Sequence, residues 1–344
     1  MTVSLSHQDR IVFYFLEQQH DHSVSELAAL TNLREHIVRY TLRRLERFGY
    51  LRPEVAVDQA KLGWVTTCMY FSLQSRNEQA ESRFLEALVR SPRITWVAEI
   101  GGAFQFEATL ITRNEGEIAS FLDQLPQVSQ VSLAKRSMAI ETRFANFGLK
   151  YLVDASAPSH EPCIVNDSDE RVSIKEIDHR ILWALCNTNY KTQAHLARTV
   201  GISSSTLEFR IKKLEQQGVI KRRRFVVDHS LHGAQCFYIF ISSNGRSPTF
   251  PQRLLSFCQK HPNILVLIRS LGNYDYKLIS FVQSAEDASA LAKSLAQELD
   301  SDISDINMVP RFRAHKHSSY PCHIDWSKQD LLFEEPLSAF VSAM

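Results

Sequence analysis

Two stretches of this 344-residue chain set cations and hydroxyls at helical spacing. In the first, Arg34, His36, Arg39, Tyr40, Arg43 and Arg44 occupy the face left over by the apolar stripe Val38, Leu42 and Leu45. In the second, Ser203, Ser204, Ser205, Thr206, Phe209, Arg210, Lys212 and Lys213 surround Leu207, Ile211 and Leu214, and the run Lys221, Arg222, Arg223, Arg224 follows. A guanidinium fork fits a phosphate or the O6/N7 edge of guanine, and hydroxyls at a helix start reach phosphates or base edges. Such a face is suited to gripping a polyanion. A solitary basic helix is equally well read as a solvated surface; two in the same context favour the recognition reading.

Other chemistry leaves little trace. There is no phosphate-binding G-x-x-x-x-G-K-[ST] loop, no G-x-S-x-G elbow and no His-Glu-x-x-His pair. His315, His317, Cys322 and His323 form a dense group of ligand-type residues, but their spacing fits no standard zinc pattern, and alternate residues of a terminal strand line one face. The expectation is therefore no catalytic residue, no metal site and no cofactor.

The elements that position these faces occur twice. Leu45 and Leu214, Glu46 and Glu215, Gly49 and Gly218, and Asp9 and Asp178 all recur at one constant offset. Further on the offset lengthens by a single position, for Asp58 and Asp228, Gly63 and Gly233, Ile94 and Ile264, and Gly102 and Gly272. The chain reads as a tandem duplication. Each copy opens with three short helices. In the first, Ile11, Phe15 and Leu16 mark one helix, Ser23-Val-Ser-Glu26 is a capping box starting another, and a third ends at Gly49. Three helices with a tight turn before the last predict a helix-turn-helix, with a wing strand beginning at the cation run of copy two.

The rest of each copy reads β-α-β-β-α-β. Copy one places strands at 65–73, 94–100, 104–111 and 131–142, with helices at 80–89 and 118–125. Copy two follows the same order, from Phe237 to Phe312. The predicted fold class is α+β: two winged helix-turn-helix domains alternating with two ferredoxin-like regulatory domains. Expected boundaries are 1–55, 56–150, a Ser/Pro/Asp-rich linker at 151–172, 173–226, 227–322, and a tail at 323–344. Hydrophobic content of 44%, charged content of 22% and a net charge of +1 suit a globular chain whose positive charge is local. No apolar run approaches the roughly 20 residues of a membrane span, and the N-terminus lacks a signal-peptide pattern, so the cytoplasm is the expected compartment. Six scattered cysteines without a Cys-x-x-Cys pair predict reduced, mostly buried thiols.

Ile202-Ser-Ser-Ser-Thr-Leu-Glu-Phe-Arg-Ile-Lys-Lys-Leu-Glu-Gln-Gln-Gly-Val-Ile220 and Leu271-Gly-Asn-Tyr-Asp-Tyr-Lys277, with Ile177-Asp178 and Leu196-Ala197, resemble the reader helix and regulatory-domain turn of the Lrp/AsnC (leucine-responsive regulatory protein / asparagine-synthetase regulator) family. The likeness covers nearly all of copy two and, more loosely, copy one. It implies double-stranded DNA as partner, a small effector such as an amino acid, and paired regulatory sheets. Here the two copies supply either an internal pseudo-dimer or part of a homo-oligomer. It also implies effector contacts at Gly272, Asn273, Tyr274 and Asp275, a stretch whose composition is equally that of a good turn. Copy one has Gly102, Ala103, Phe104 and Gln105 there, without the carboxylate. Two readings compete with the regulator. One is a sirohaem-decarboxylase-like tetrapyrrole enzyme, which resembles the same architecture and needs cations lining a cleft between the sheets; the sequence places few there. The other is an adaptor that uses its winged helices for protein contacts.

Overall fold

The computed structural model describes residues 5–18, 22–48, 51–75, 77–153, 161–190, 192–226, 233–321 and 333. Copy one begins with α1 (His7–Gln18), α2 (Val24–Thr31) and α3 (Glu35–Arg47). The predicted capping box is present: Ser23 Oγ accepts from the Glu26 N–H, and Glu26 accepts from the Ser23 N–H. Copy two repeats the trio as α6 (Glu176–Asn187), α7 (Gln193–Val200) and α8 (Ser204–Gln216). The turn between second and third helices carries a left-handed cap in both, Asn32 at φ 54° and Gly201 at φ 79°, the two residue types that adopt it most readily. The expected C-cap Gly49 lies outside the described residues.

Next come β1 (Arg52–Val57) in copy one and β7 (Ile220–Val226) in copy two. Neither folds back as a hairpin wing among the described residues. They pair antiparallel with each other, Glu54 opposite Arg224 and Val55 opposite Arg223. Since these strands are repeat equivalents, a pseudo-two-fold axis passes between those two pairs. Each strand also packs on the other copy's head, β1 against α6 and β7 against α1.

Copy one continues as β2 (Val65–Leu73), α4 (Glu78–Arg90), β3 (Ile94–Ile100), β4 (Phe106–Thr112), α5 (Glu115–Ser129) and β5 (Leu133–Asn146). A short β6 (Cys163–Val165) follows. Copy two supplies β8 (Gln235–Ser243), α9 (Phe250–Lys260), β9 (Ile264–Gly272), β10 (Tyr276–Val282), α10 (Ala285–Leu299) and β11 (Ile303–His317). The two sheets share one internal order, β5-β2-β4-β3 and β11-β8-β10-β9, that of a ferredoxin-like fold. They join at both ends: β5 pairs with β9, and β11 with β3. Because β2 also pairs with β5, the eight strands close into a ring without free edges.

Period-2 alternation divides each strand between outside and inside. Met69, Phe71, Ala108 and Leu110 face outward and pack with Phe84, Leu88, Phe121 and Leu125 of α4 and α5. Ile239, Ile241 and Leu278 do the same with Leu254, Leu291 and Leu295 of α9 and α10. Each such large apolar side chain contributes about 1.5–3 kcal/mol when fully buried. The segment expected as a free linker is partly anchored: β6 pairs with β5, and Asn166 Oδ1 accepts from the Gln59 and Ala60 N–H groups. Residues 154–160 and most of the C-terminal tail lie outside the described set. Five cysteines, Cys68, Cys163, Cys186, Cys236 and Cys258, are buried free thiols. Among the described residues no helix is long and apolar enough to cross a membrane.

Candidate nucleic-acid interface and inner chamber

In α8, Leu207, Ile211 and Leu214 are buried against α6 and α7, which turns the opposite face outward. Ser203 caps the helix by accepting from the Thr206 N–H, and Ser204, Ser205 and Thr206 are exposed. Phe209 stands 69% exposed, unusual for so large an apolar ring. Lys212 and Lys213 are also exposed, with Lys212 loosely paired to Glu208. In α3 the exposed residues are Arg34, His36, Arg39, Tyr40 and Arg43, with Tyr40 at 66%.

Two expected DNA-facing cations have other work. Arg44 pairs with Asp9, and Arg210 with Asp178 at 2.9 Å. Asp9 and Asp178 are repeat equivalents near the start of the first helix; each also accepts from a backbone N–H preceding that helix, Ser6 or Lys175. Both pairs tie first helix to third. The sequence showed the shared aspartate but not its partner, because the cation has moved along the third helix between copies.

The wing residues require a correction. Arg224 is turned inward, its side chain 14% exposed between Glu54 and Glu17. Burial alone would lower its pKa, but the two carboxylates raise it. Arg223 is held by Glu215 at 2.6 Å, and Arg222 donates to the Glu161 carbonyl. The physical reason is the β1–β7 ribbon: alternate side chains of a strand face opposite ways, and one face of this ribbon is covered. Four consecutive cations therefore do not form one groove-facing row.

At the turn after β9, Gly272 lies where β5 and β9 join, and a Cβ there would meet Met138 O at 2.7 Å. Tyr274 is buried, its hydroxyl 2.7 Å from that of Tyr70. Asp275 Oδ2 accepts from the Ser243 N–H and hydroxyl. The turn thus sits at the contact between the copies, and that oxygen of Asp275 closes it. Asn273 is exposed.

The ring interior holds what sequence inspection missed. A chamber of 1210 Å³ lies between it and the ribbon. Lys277 is buried with its Nζ 2.7 Å from Glu107 and 3.1 Å from Glu141. Burial pushes the Glu107 carboxyl up, but the Lys277 charge and hydrogen bonds to the carboxylate, that of Cys68 among them, together outweigh this and leave it below its ordinary 4.5. Arg311 lies over Trp96 and Phe281, 5.2 and 5.4 Å from their ring centres. His317 Nδ1 is 3.1 Å from Arg52, and burial holds this imidazole down at about 4, so it is neutral at pH 7. His315 contacts Glu99 at 2.5 Å. Cys322 and His323 are outside the described residues. Contrary to the sequence reading, the space between the sheets carries several cations. The missed signal was their position on strands, where period-2 reading marks a polar residue as outward unless the opposite face is known to be covered.

A family profile described as winged helix-turn-helix DNA-binding matches residues 174–221. An uncharacterized HTH-type transcriptional regulator of Pyrococcus horikoshii is 31% identical over 124 residues, 36% of this chain and 79% of the relative. This chain belongs to the Lrp/AsnC family. It is a sequence-specific DNA-binding transcription regulator. The glutamate uptake regulatory protein of Zymomonas mobilis is 26% identical over 147 residues, 42% of this Lrp/AsnC chain and 88% of that one. Such relatives are about half its length, as a duplication requires. A solved structure, the siroheme decarboxylase NirDL, covers 91% of this chain and 93% of its own, with TM-score 0.57 and 13% identity. That likeness shows the fold: two heads and two sheets in one polypeptide.

Proposed function

We propose that one chain of this regulator is a complete two-reader unit, an internal pseudo-dimer acting on DNA in the cytoplasm. The observation that carries this is the closed ring together with the β1–β7 ribbon, in which equivalent strands of the two copies pair as the chains of a dimer would. Each third helix enters a major groove, and readers one turn apart are separated by about 34–36 Å. The DNA-facing set is Arg34, His36, Arg39, Tyr40 and Arg43 in α3, and Ser203, Ser204, Ser205, Thr206, Phe209, Lys212 and Lys213 in α8, all of them exposed. Because the two sets share almost no residue, the operator is asymmetric. Selection from a random DNA pool tests this: two unlike half-sites are expected, and a perfect palindrome bound by a single chain refutes it.

The effector reading stays with the turn at Gly272, Asn273, Tyr274 and Asp275. Its position at the junction of the copies supports it, since a ligand there bears differently on two arrangements of the halves. One observation favours the tetrapyrrole-enzyme alternative, the cation-bearing chamber. A haem-like absorbance in the purified protein, without DNA binding, would carry that reading.

A further inference from the structure

We infer that the chamber is a binding site for a flat, largely apolar organic acid whose carboxylate is held by Arg311. The argument rests on which chamber cations are already committed. Arg224 is paired with Glu54 and Glu17. Lys277 is paired with Glu107 and Glu141. Arg52 lies against the His317 imidazole, and Lys316 Nζ donates to the Val89 and Ser91 carbonyls. Arg313 also lines the chamber but is exposed to solvent. Of the chamber's cations not so committed, Arg311 alone combines a partly buried side chain with no carboxylate within ion-pair distance, among the described residues.

Its surroundings fit an acceptor in the guanidinium plane. The rings of Trp96 and Phe281 lie against the guanidinium, and its N–H donors suit a carboxylate in the chamber. The remaining wall is mixed, with Phe144 and Ile279 offering apolar surface and Thr109 a small polar one. Typical small-molecule pockets run to about 300–1,000 Å³, so this one is too large for a single amino acid to fill. One uncommitted, partly buried cation also sets the ligand's charge: one carboxylate inside, with a second at most reaching the exposed Arg313. A ring carrying many carboxylates would meet Glu17, Glu107 and Glu141 on the same walls.

Copy one contrasts with this. The repeat equivalent of Arg311 is Glu141, which is spent on Lys277. The site therefore occurs once per chain.

The test uses the full chain without DNA, so its failure is distinct from failure of the operator reading. Pyrene-1-carboxylate and the uncharged 1-pyrenemethanol are titrated by fluorescence anisotropy. The acid is expected to bind at least about tenfold tighter than the alcohol at a stoichiometry of one. R311Q should remove that preference while leaving the alcohol's Kd within about twofold, whereas R246Q, on an exposed loop, should keep the preference intact. R311K keeps the charge without the fork and should retain part of the preference, which covers the case of R311Q failing to reach the wild-type circular dichroism spectrum. Equal binding of acid and alcohol, binding of neither, or an unchanged preference in R311Q and R311K overturns the inference.

Discussion

In the ring, copy one carries Glu107 and Glu141 where copy two carries Lys277 and Arg311, both pairs at the same repeat offset. In a dimer of identical chains the axis would set like residues together, so Glu107 would face a second Glu107. Here Glu107 faces Lys277 at 2.7 Å, both side chains at or below 3% exposure. Buried like charges are far too costly to persist, whereas a buried hydrogen-bonded pair is tolerated. Fusion of the copies released the two positions from having to be the same. The halves are now complements, and a ring built from two first copies would bury carboxylate against carboxylate.

The strongest way to break this contrast is K277E, which gathers three carboxylates at one buried point. A loss of about 3–5 kcal/mol in urea denaturation is expected, with E107K/K277E recovering at least half. A loss under about 1 kcal/mol would mean that the pair does not organise the ring. The junctions come next. Gly272 (φ +149°) would drive a Cβ against backbone atoms of Met138 and Ala139, whereas its equivalent Gly102 would meet only the Val309 side chain. G272A should cost about 1–3 kcal/mol and more than G102A by the same measurement.

The heads test where the copies remain alike. D9N and D178N should each cost about 1 kcal/mol, since each aspartate serves a helix start and a third-helix arginine. Equal effects would show that the moved cation preserved the tie. Acid sharpens the ring contrast further. Glu107 is held below its ordinary 4.5, so its contribution is present above that pH and lost as pH falls through its lower folded value. The stability advantage of wild type over E107Q/K277M should shrink in that direction. The smallest effect concerns DNA. K212Q/K213Q should reduce the salt slope of binding by about 0.9 for each phosphate no longer neutralised, while R224Q leaves it unchanged because Arg224 faces Glu54 and Glu17.

Much of this layout could be read from the sequence. The repeat offset located both heads and both sheets, and the strand at 65–73 has the same bounds in the structure. What could not be read concerns sidedness. Lys221–Arg224 begins a strand as expected, but a strand's two faces differ only once its neighbour is known, and that neighbour is β1, in the other copy. Lys277 and Arg311 were hidden for the same reason. Nothing local distinguishes a cation pointing into a closed ring from one pointing to water, and only the joining of the two sheets through β5–β9 and β11–β3 decides it. Asp275 illustrates a different limit, because a turn carboxylate offers itself equally to a ligand or to Ser243.

The ribbon that joins the heads also roofs the chamber, with Arg52, Ala56 and Arg224 on the face that lines it. The span between the two reading helices and the headroom beneath that roof are therefore set by one strip of backbone. A guest that lifts or tightens the strip must retune both readers together, as a single lever would.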